Sequence, residues 1–214
     1  MRALDTVNGD AGSRLKGSGL VDLLRWIERT SGRNAVLALR DKVAEPWRNE
    51  LDPSRTQLGL RVGTWYPAEL ANALYDAMVV DVAPAQRSAV ARKAGVGVGE
   101  HMLSGVYRQL FSAFVSPERM IANMPTMWRQ NWTDGEVTTR MLGPMDVEGR
   151  IAGWAGHSTF GCELVHACVL TMFEKLRVGN VKLLDRSCRS CKTTRKGDAH
   201  GDVCTFRIGW SGRS

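Results

Sequence analysis

The chain has 214 residues, of which 43% are apolar, and a formal net charge of +7. This length and apolar content are enough for one substantial core, and the absence of a run of about 18 apolar residues excludes a membrane-spanning helix. The N-terminus lacks the apolar segment of a signal peptide, so we expect a cytoplasmic protein without membrane insertion. Its five cysteines, an odd number, are then expected to be thiols or metal ligands.

The first third of the chain is expected to be helical after a flexible arm. Residues 1–16 are polar and predict this arm, and residues 17–214 are expected to form a single domain. Apolar residues recur at helical spacing from Leu20 to Ile27, and a second, shorter helix is expected to end before Pro46. Pro67 is suited to the first turn of a third helix, because its missing N–H has no partner there.

Two further helices are expected in the middle of the chain, separated by glycines. A helix that follows Pro84 is expected to break at Gly95-x-Gly97-x-Gly99, and residues 101–114 carry a strong helical pattern of their own. Ser116-Pro117 is typical of an N-cap followed by a first helical residue. Pro125 is expected to bend or end the helix that they begin.

The last third of the chain carries two strand pairs around one more helix. Residues 137–142 and 150–154 predict the first pair, and residues 181–210 predict a hairpin with a basic turn. In the hairpin, Phe206, Ile208 and Trp210 alternate with polar residues or glycine and should face the helices. We therefore predict an α+β fold, in which N-terminal helices pack with a small C-terminal antiparallel sheet.

The C-terminal end carries most of the net charge, since residues 177–214 contain nine Lys and Arg against three Asp. One hypothesis is that residues 182–196 form a basic module that docks an acidic protein or nucleic acid. The alternative is a solvated hairpin that keeps the protein soluble, and we favour it because no nucleic-acid motif accompanies the charge. Specific nucleic-acid binding is therefore not expected.

Two overlapping ligand sets for a structural zinc ion are present. One is Cys188-x2-Cys191 with His200-x3-Cys204. The other set, which we favour, joins Cys162 on the last helix to three residues of the hairpin. The members of this favoured set are Cys162, Asp185, Cys188 and Cys204. The alternative to both sets is that the cysteines are small buried side chains. No cofactor is required by the sequence.

No catalytic constellation is present. Carboxylates are scattered, and Gly-x-Ser-x-Gly and His-Glu-x-x-His are absent. His101 could be a haem or catalytic ligand, although a solvent-facing or capping role fits it better. We therefore expect a protein that is not an enzyme.

Three motifs carry a resemblance to a known family. They are Gly17-Ser-Gly-Leu20, Trp65-Tyr66-Pro67 and the terminal Gly201-Asp202-x-Cys204-x-Phe206-x-x-x-Trp210. Together they resemble a myxobacterial paralogous family of unknown function, over residues 17–210. The resemblance implies no catalytic activity.

The C-terminal half also resembles a wider fold group of four-vinyl-reductase ligand-binding domains, haem-nitric-oxide sensors and transport-particle subunits. This resemblance implies helices on an antiparallel sheet, often with a small molecule between them. It also implies a zinc set of Asp185-x2-Cys188, Cys204 and Cys162, with Asp in place of the usual Glu and with a longer hairpin. The Tyr-x-Ser-x-Arg motif of the haem sensors is absent, so haem is disfavoured.

These resemblances imply a function. We expect a non-enzymatic sensory or adaptor domain of bacterial signalling that binds a small apolar ligand or a signalling protein, with a homodimer left open.

Overall fold

A computed structural model describes residues 12–104, 116–176, 178–188 and 203–213. The helices are α1 (Gly17–Ser31), α2 (Arg33–Lys42), α3 (Ala68–Val79), α4 (Pro84–Ser104), α5 (Pro117–Asn131) and α6 (Thr159–Glu174). The strands are β1 (Arg14–Lys16), β2 (Trp65–Pro67), β3 (Glu136–Gly143), β4 (Asp146–Ala152), β5 (Val178–Ser187) and β6 (Val203–Arg213). Within the described residues, no helix has the length and apolar content needed to cross a bilayer.

The fold is α+β, as the sequence predicts, but the sheets differ from the prediction. The main sheet has four antiparallel strands in the order β3-β4-β6-β5, and α6 lies between its two strand pairs in the chain. A second sheet pairs β1 with β2 near the N-terminus. The sheet structure is therefore neither small nor solely C-terminal. The second sheet is explained by Leu15, whose side chain is only 5% exposed. Burial of this side chain holds Arg14–Lys16 against the core, although the sequence predicts that these residues belong to the flexible arm.

The C-terminal hairpin is confirmed. β5 pairs antiparallel with β6, and Phe206 and Ile208 are both buried on the inner face. The ring of Phe206 lies 5.2 Å from that of His166, and the ring of Trp210 lies 5.5 Å from that of Phe173. Both partners belong to α6, so the alternating face of β6 packs on this helix. The basic turn of the hairpin lies in residues 189–202, outside the described residues.

The expected break at the glycines is wrong, because α4 continues through all three of them. A Cβ on Gly95 would lie 2.3 Å from the Leu164 carbonyl oxygen, and a Cβ on Gly97 would lie 2.1 Å from the ring of Trp26. The glycines therefore let α4 approach α6 on one side and α1 on the other. Close packing offsets the roughly 1 kcal/mol that a helical glycine costs. Residues 101–104 belong to α4, and residues 105–114 of the separate predicted helix lie outside the described residues.

The start of α5 is as predicted, but its proline does not end it. The backbone N–H of Arg119 donates to Ser116 Oγ at 3.4 Å, which makes Ser116 the N-cap. The helix continues past Pro125 to Asn131. Met124 and Trp128 are buried on either side of the proline, so packing of the apolar stripe holds the helix together.

Candidate metal centre and ligand cavity

Four side chains that can ligate a metal converge between α6 and the main sheet. They are His157, Cys162, Cys188 and Cys204, and their ligand atoms all lie within 4.8 Å of one another. The three cysteines are at most 3% exposed, and His157 is half-buried. The cluster thus lies at the edge of the core, with its thiols inside.

Three different parts of the fold position these ligands. Cys188 directly follows β5 and Cys204 lies on β6, and the pairing of Ser187 with Thr205 brings their sulfurs to 3.8 Å. Cys162 lies in the first turn of α6. His157 directly precedes Ser158, whose Oγ accepts from the Gly161 N–H and caps that helix. The capped start of α6 therefore places the His157 imidazole and the Cys162 thiol next to the thiols of Cys188 and Cys204.

One separation within the cluster is that expected in a tetrahedral zinc site. Two sulfurs about 2.3 Å from a zinc ion at the tetrahedral angle are about 3.8 Å apart. The sulfurs of Cys188 and Cys204 have this separation. The Nε2 of His157 lies 3.1 Å from the Cys188 sulfur, so these two atoms share a hydrogen bond. Four protein ligands would fill the shell and leave no position for a reactive water, which is typical of structural zinc.

The protonation of the cluster also favours a cation. Hydrogen bonds with Cys188 and Cys204, together with burial, raise the pKa of the Cys162 thiol far above its ordinary value. Burial lowers the pKa of His157, but its hydrogen bonds with Cys188 and Cys204 outweigh this and raise the pKa to about 9. Three buried thiolates cannot coexist without a positive charge between them, and a divalent ion would supply that charge.

The structure brings together three of the four predicted ligands and adds a different fourth. Asp185 lies outside the group: it is exposed on β5, and its Oδ1 accepts from the Arg186 N–H. Asp185 lies three residues before Cys188, and side chains that are an odd number of residues apart point to opposite faces of a strand. Cys191 and His200 of the other predicted set lie outside the described residues.

The member of this cluster that sequence reasoning missed is His157. Its spacing to the cysteines follows no metal-binding motif, since it lies in the loop between β4 and α6. One signal was available in the sequence. Serine favours the N-cap of a helix, so Ser158 predicts a helix start with His157 directly before it and Cys162 in its first turn. The two side chains are therefore expected on neighbouring turns of the chain.

Polar groups beside the cluster hold α6 on the sheet. Glu163 is 2% exposed, forms an ion pair with Arg186 on β5 and accepts from Ser88 Oγ on α4 at 2.9 Å. The Nδ1 of His166, one turn further along α6, lies 3.9 Å from the Cys162 sulfur. Burial, followed by the charge of Arg186, lowers the pKa of His166 to about 4. His166 is therefore a neutral neighbour of the proposed ligand Cys162.

A cavity of about 140 Å³ lies beside this cluster, where the helices meet the sheet. Six of the nineteen residues that line it carry sulfur. They are Met102, Met120, Met124, Met127, Cys168 and Met172. Trp128, Trp132 and Phe206 also form part of the wall. The cavity therefore suits an apolar ligand, because methionine adapts to varied shapes and contacts aromatic rings favourably.

The side chains around the cavity are mostly uncharged. Burial, together with the charge of Asp22, raises the pKa of Cys168 to about 12, so its sulfur is a neutral thiol. The phenol of Tyr75, on another part of the wall, also has its pKa raised by burial. His101, considered above as a haem or catalytic ligand, lies near this region with its Nε2 3.4 Å from Asp22 Oδ1.

Comparison with known proteins gives the fold but no family. No family model matches the chain, and no curated protein matches it. Among solved structures, the unliganded Fe(II) H-NOX protein of K. algicida has a TM-score of 0.62 at 11% identity, covering 93% of this chain and 98% of that one. An oxygen-binding H-NOX domain related to soluble guanylate cyclases has a TM-score of 0.59 at 7% identity, covering 93% and 96%.

The expectation that haem is disfavoured is wrong, because the structures that share this fold are H-NOX domains, one of them described in a study of haem distortion. The missing Tyr-x-Ser-x-Arg motif therefore does not exclude haem. Among the donors on the cavity wall, Met102 is of a residue type that binds haem iron elsewhere, whereas Cys168 is a neutral thiol that would have to lose its proton to bind iron. A haem would have to widen the present cavity, which is smaller than the roughly 300–1,000 Å³ of drug-sized pockets. The chain shares the fold of the H-NOX domains.

Proposed function

We propose that this protein is a non-enzymatic sensory domain that binds a small apolar ligand in the sulfur-rich cavity. The observation that carries the proposal is the cavity itself, whose lining brings together five methionines and Cys168. The H-NOX fold supports it, because solved domains with this fold include an oxygen-binding one.

The cavity volume limits the size of the ligand. An apolar cavity of about 150 Å³ in another protein binds benzene or xenon. The cavity of about 140 Å³ here is therefore large enough for one ring or a dissolved apolar gas. Haem belongs to the same proposal if the walls move apart, and when bound it would supply an iron that can take a gas molecule.

A pair of ligand experiments tests the proposal. Benzene should raise the unfolding temperature of the purified protein further as its concentration is increased, because it binds only the folded state. Val98→Phe, which fills the cavity, should abolish this shift, whereas Val62→Phe at an exposed position should not. A Soret band on the purified or haemin-treated protein would identify haem as the ligand. If neither benzene nor haemin binds, the proposal is wrong.

We also propose that His157, Cys162, Cys188 and Cys204 hold a structural zinc ion, with His157 in place of Asp185. The closed shell supports a non-enzymatic role, because a catalytic zinc keeps a position open for water or substrate.

Metal analysis of protein purified without added metal tests this site. We expect one zinc per chain, and Cys162→Ser should release it. Cys168→Ser on the same helix is the matched control and should keep the zinc, since Cys168 is not in the cluster. Asp185→Ala should also keep it. Loss of zinc in Asp185→Ala would contradict the assignment of His157, and loss in His200→Ala would favour the other ligand set.

A further inference from the structure

Aromatic rings connect the cavity wall to the proposed metal ligand His157. Trp128 and Trp132 line the cavity, and their rings lie 5.0 and 4.8 Å from the ring of Trp154. Trp154 in turn meets the imidazole of His157 edge-on, with ring centroids 5.1 Å apart. Movement of Trp128 or Trp132 would therefore be transmitted to the proposed ligand His157 through the buried ring of Trp154.

A second connection runs through the sheet. Phe206 lines the cavity and lies two residues from Cys204 on β6, on the same face of the strand. Its ring also contacts His166, whose Nδ1 lies 3.9 Å from the Cys162 sulfur. Two sets of contacts thus connect the cavity wall to the metal cluster.

Trp154 is the part of this connection that is held least favourably. Its side chain is buried, and its Nε1 has no hydrogen-bond partner among the described residues. An indole N–H that is buried without an acceptor destabilises its own position, so this ring depends on its aromatic neighbours to stay in place. Contacts made by a ligand with Trp128 and Trp132 would therefore also hold Trp154.

We infer that Trp154 is a positioning residue that couples the two sites, so that filling the cavity slows the release of the metal. A ligand that fits the cavity fixes the rings of Trp128 and Trp132, these fix Trp154, and Trp154 fixes the imidazole of His157. By reciprocity, metal binding must strengthen ligand binding by the same factor as the ligand strengthens metal binding. This inference rests on the proposed ligand cavity and zinc centre.

The test measures the rate at which zinc leaves the intact protein to a chromogenic chelator, with and without saturating benzene. Benzene should slow the release about fivefold or more, which is the size expected when a coupling of roughly 5–150-fold in affinity is expressed in the dissociation rate. Trp154→Leu should remove this ratio, while Trp154→Phe, which keeps an aromatic contact, should retain part of it. Trp65→Leu, on β2 and outside the connection, is the control and should leave the ratio unchanged.

The outcomes separate the inference from the proposed function. Zinc content and benzene binding are measured independently on the same sample. If both bind and benzene leaves the release rate unchanged, the coupling is refuted while the proposed function stands. If Trp154→Leu binds both and keeps the full ratio, Trp154 is not the connection. If zinc does not bind, the proposed metal centre fails and the inference fails with it. If benzene does not bind, the inference fails, and haemin binding decides whether the proposed ligand function stands.

Discussion

A single added methyl group at Gly95 should destabilise the protein. The Cβ of Gly95→Ala would lie 2.3 Å from the carbonyl oxygen of Leu164 and 2.7 Å from the Cβ of Ala167. Carbon contacts are favourable at about 3.5–4.0 Å, so α4 and α6 would have to separate by about 1 Å. The closest of these contacts is with a backbone atom of α6, so rotation of a side chain cannot relieve it.

The expected magnitude is a difference between two opposing effects. Overpacking of this kind costs about 1–3 kcal/mol, whereas replacing a helical glycine by alanine gains about 1 kcal/mol. Because the clash is with backbone, we expect the upper part of that range and a net loss of about 1–2 kcal/mol. For a chain of this size the unfolding temperature should then fall by about 2–8 °C.

Gly99→Ala is the matched control on the same face of α4. Its Cβ would lie 3.1 Å from the Cβ of Thr171 and 3.3 Å from the Cys168 carbonyl oxygen, so an adjustment of a few tenths of an ångström is enough. We expect a stability within about 0.5 kcal/mol of the parent protein. Urea unfolding measures both variants, with the slope as a check on the two-state transition. A Gly95→Ala protein as stable as the parent would refute the close-packing explanation of the glycines.

Three further predictions concern charged side chains. Glu163→Gln should destabilise the protein by about 2 kcal/mol in urea unfolding, below the value for a fully buried pair because Arg186 is partly exposed. Burial raises the pKa of Glu163, but hydrogen bonds from Arg186 and Ser88 outweigh this and lower it. The stability that Glu163 contributes should therefore be present above about pH 4.3 and be lost as the pH falls through the folded pKa. Arg207→Ala should change stability by less than about 1 kcal/mol in thermal unfolding, because its pair with Asp146 is exposed. Any DNA retention through residues 182–196 should fall steeply with salt in filter binding, and binding that is selective at high salt would contradict this.

Local patterns in the sequence predict elements whose stability is local. The apolar spacing of Leu20, Leu24 and Ile27 predicts α1, since a helix can be read from one buried face. Ser116 predicts the start of α5, because an N-cap needs only its own neighbours. The alternation in β6 predicts the inner face of the sheet for the same reason.

Features that depend on distant contacts were not predictable in this way. The glycines of α4 resemble a break until Leu164 and Trp26 are known to lie against them, 69 and 71 residues away in the chain. The role of His157 is hidden similarly, because its partners Cys188 and Cys204 come from a later hairpin. A spacing motif records ligands that are close in sequence, and it cannot record a ligand that a helix start supplies from across the fold.

The place of the metal centre in the fold decides which part of the protein it would stabilise. Cys188 and Cys204 lie at the two ends of the segment 189–203, so a shared ion would close this basic segment at its base. The neighbouring strands β5 and β6 are already paired, and closing a loop whose ends already meet removes little chain entropy. Zinc at this site should therefore stabilise chiefly the contact of α6 with the ends of β5 and β6, which would otherwise open locally.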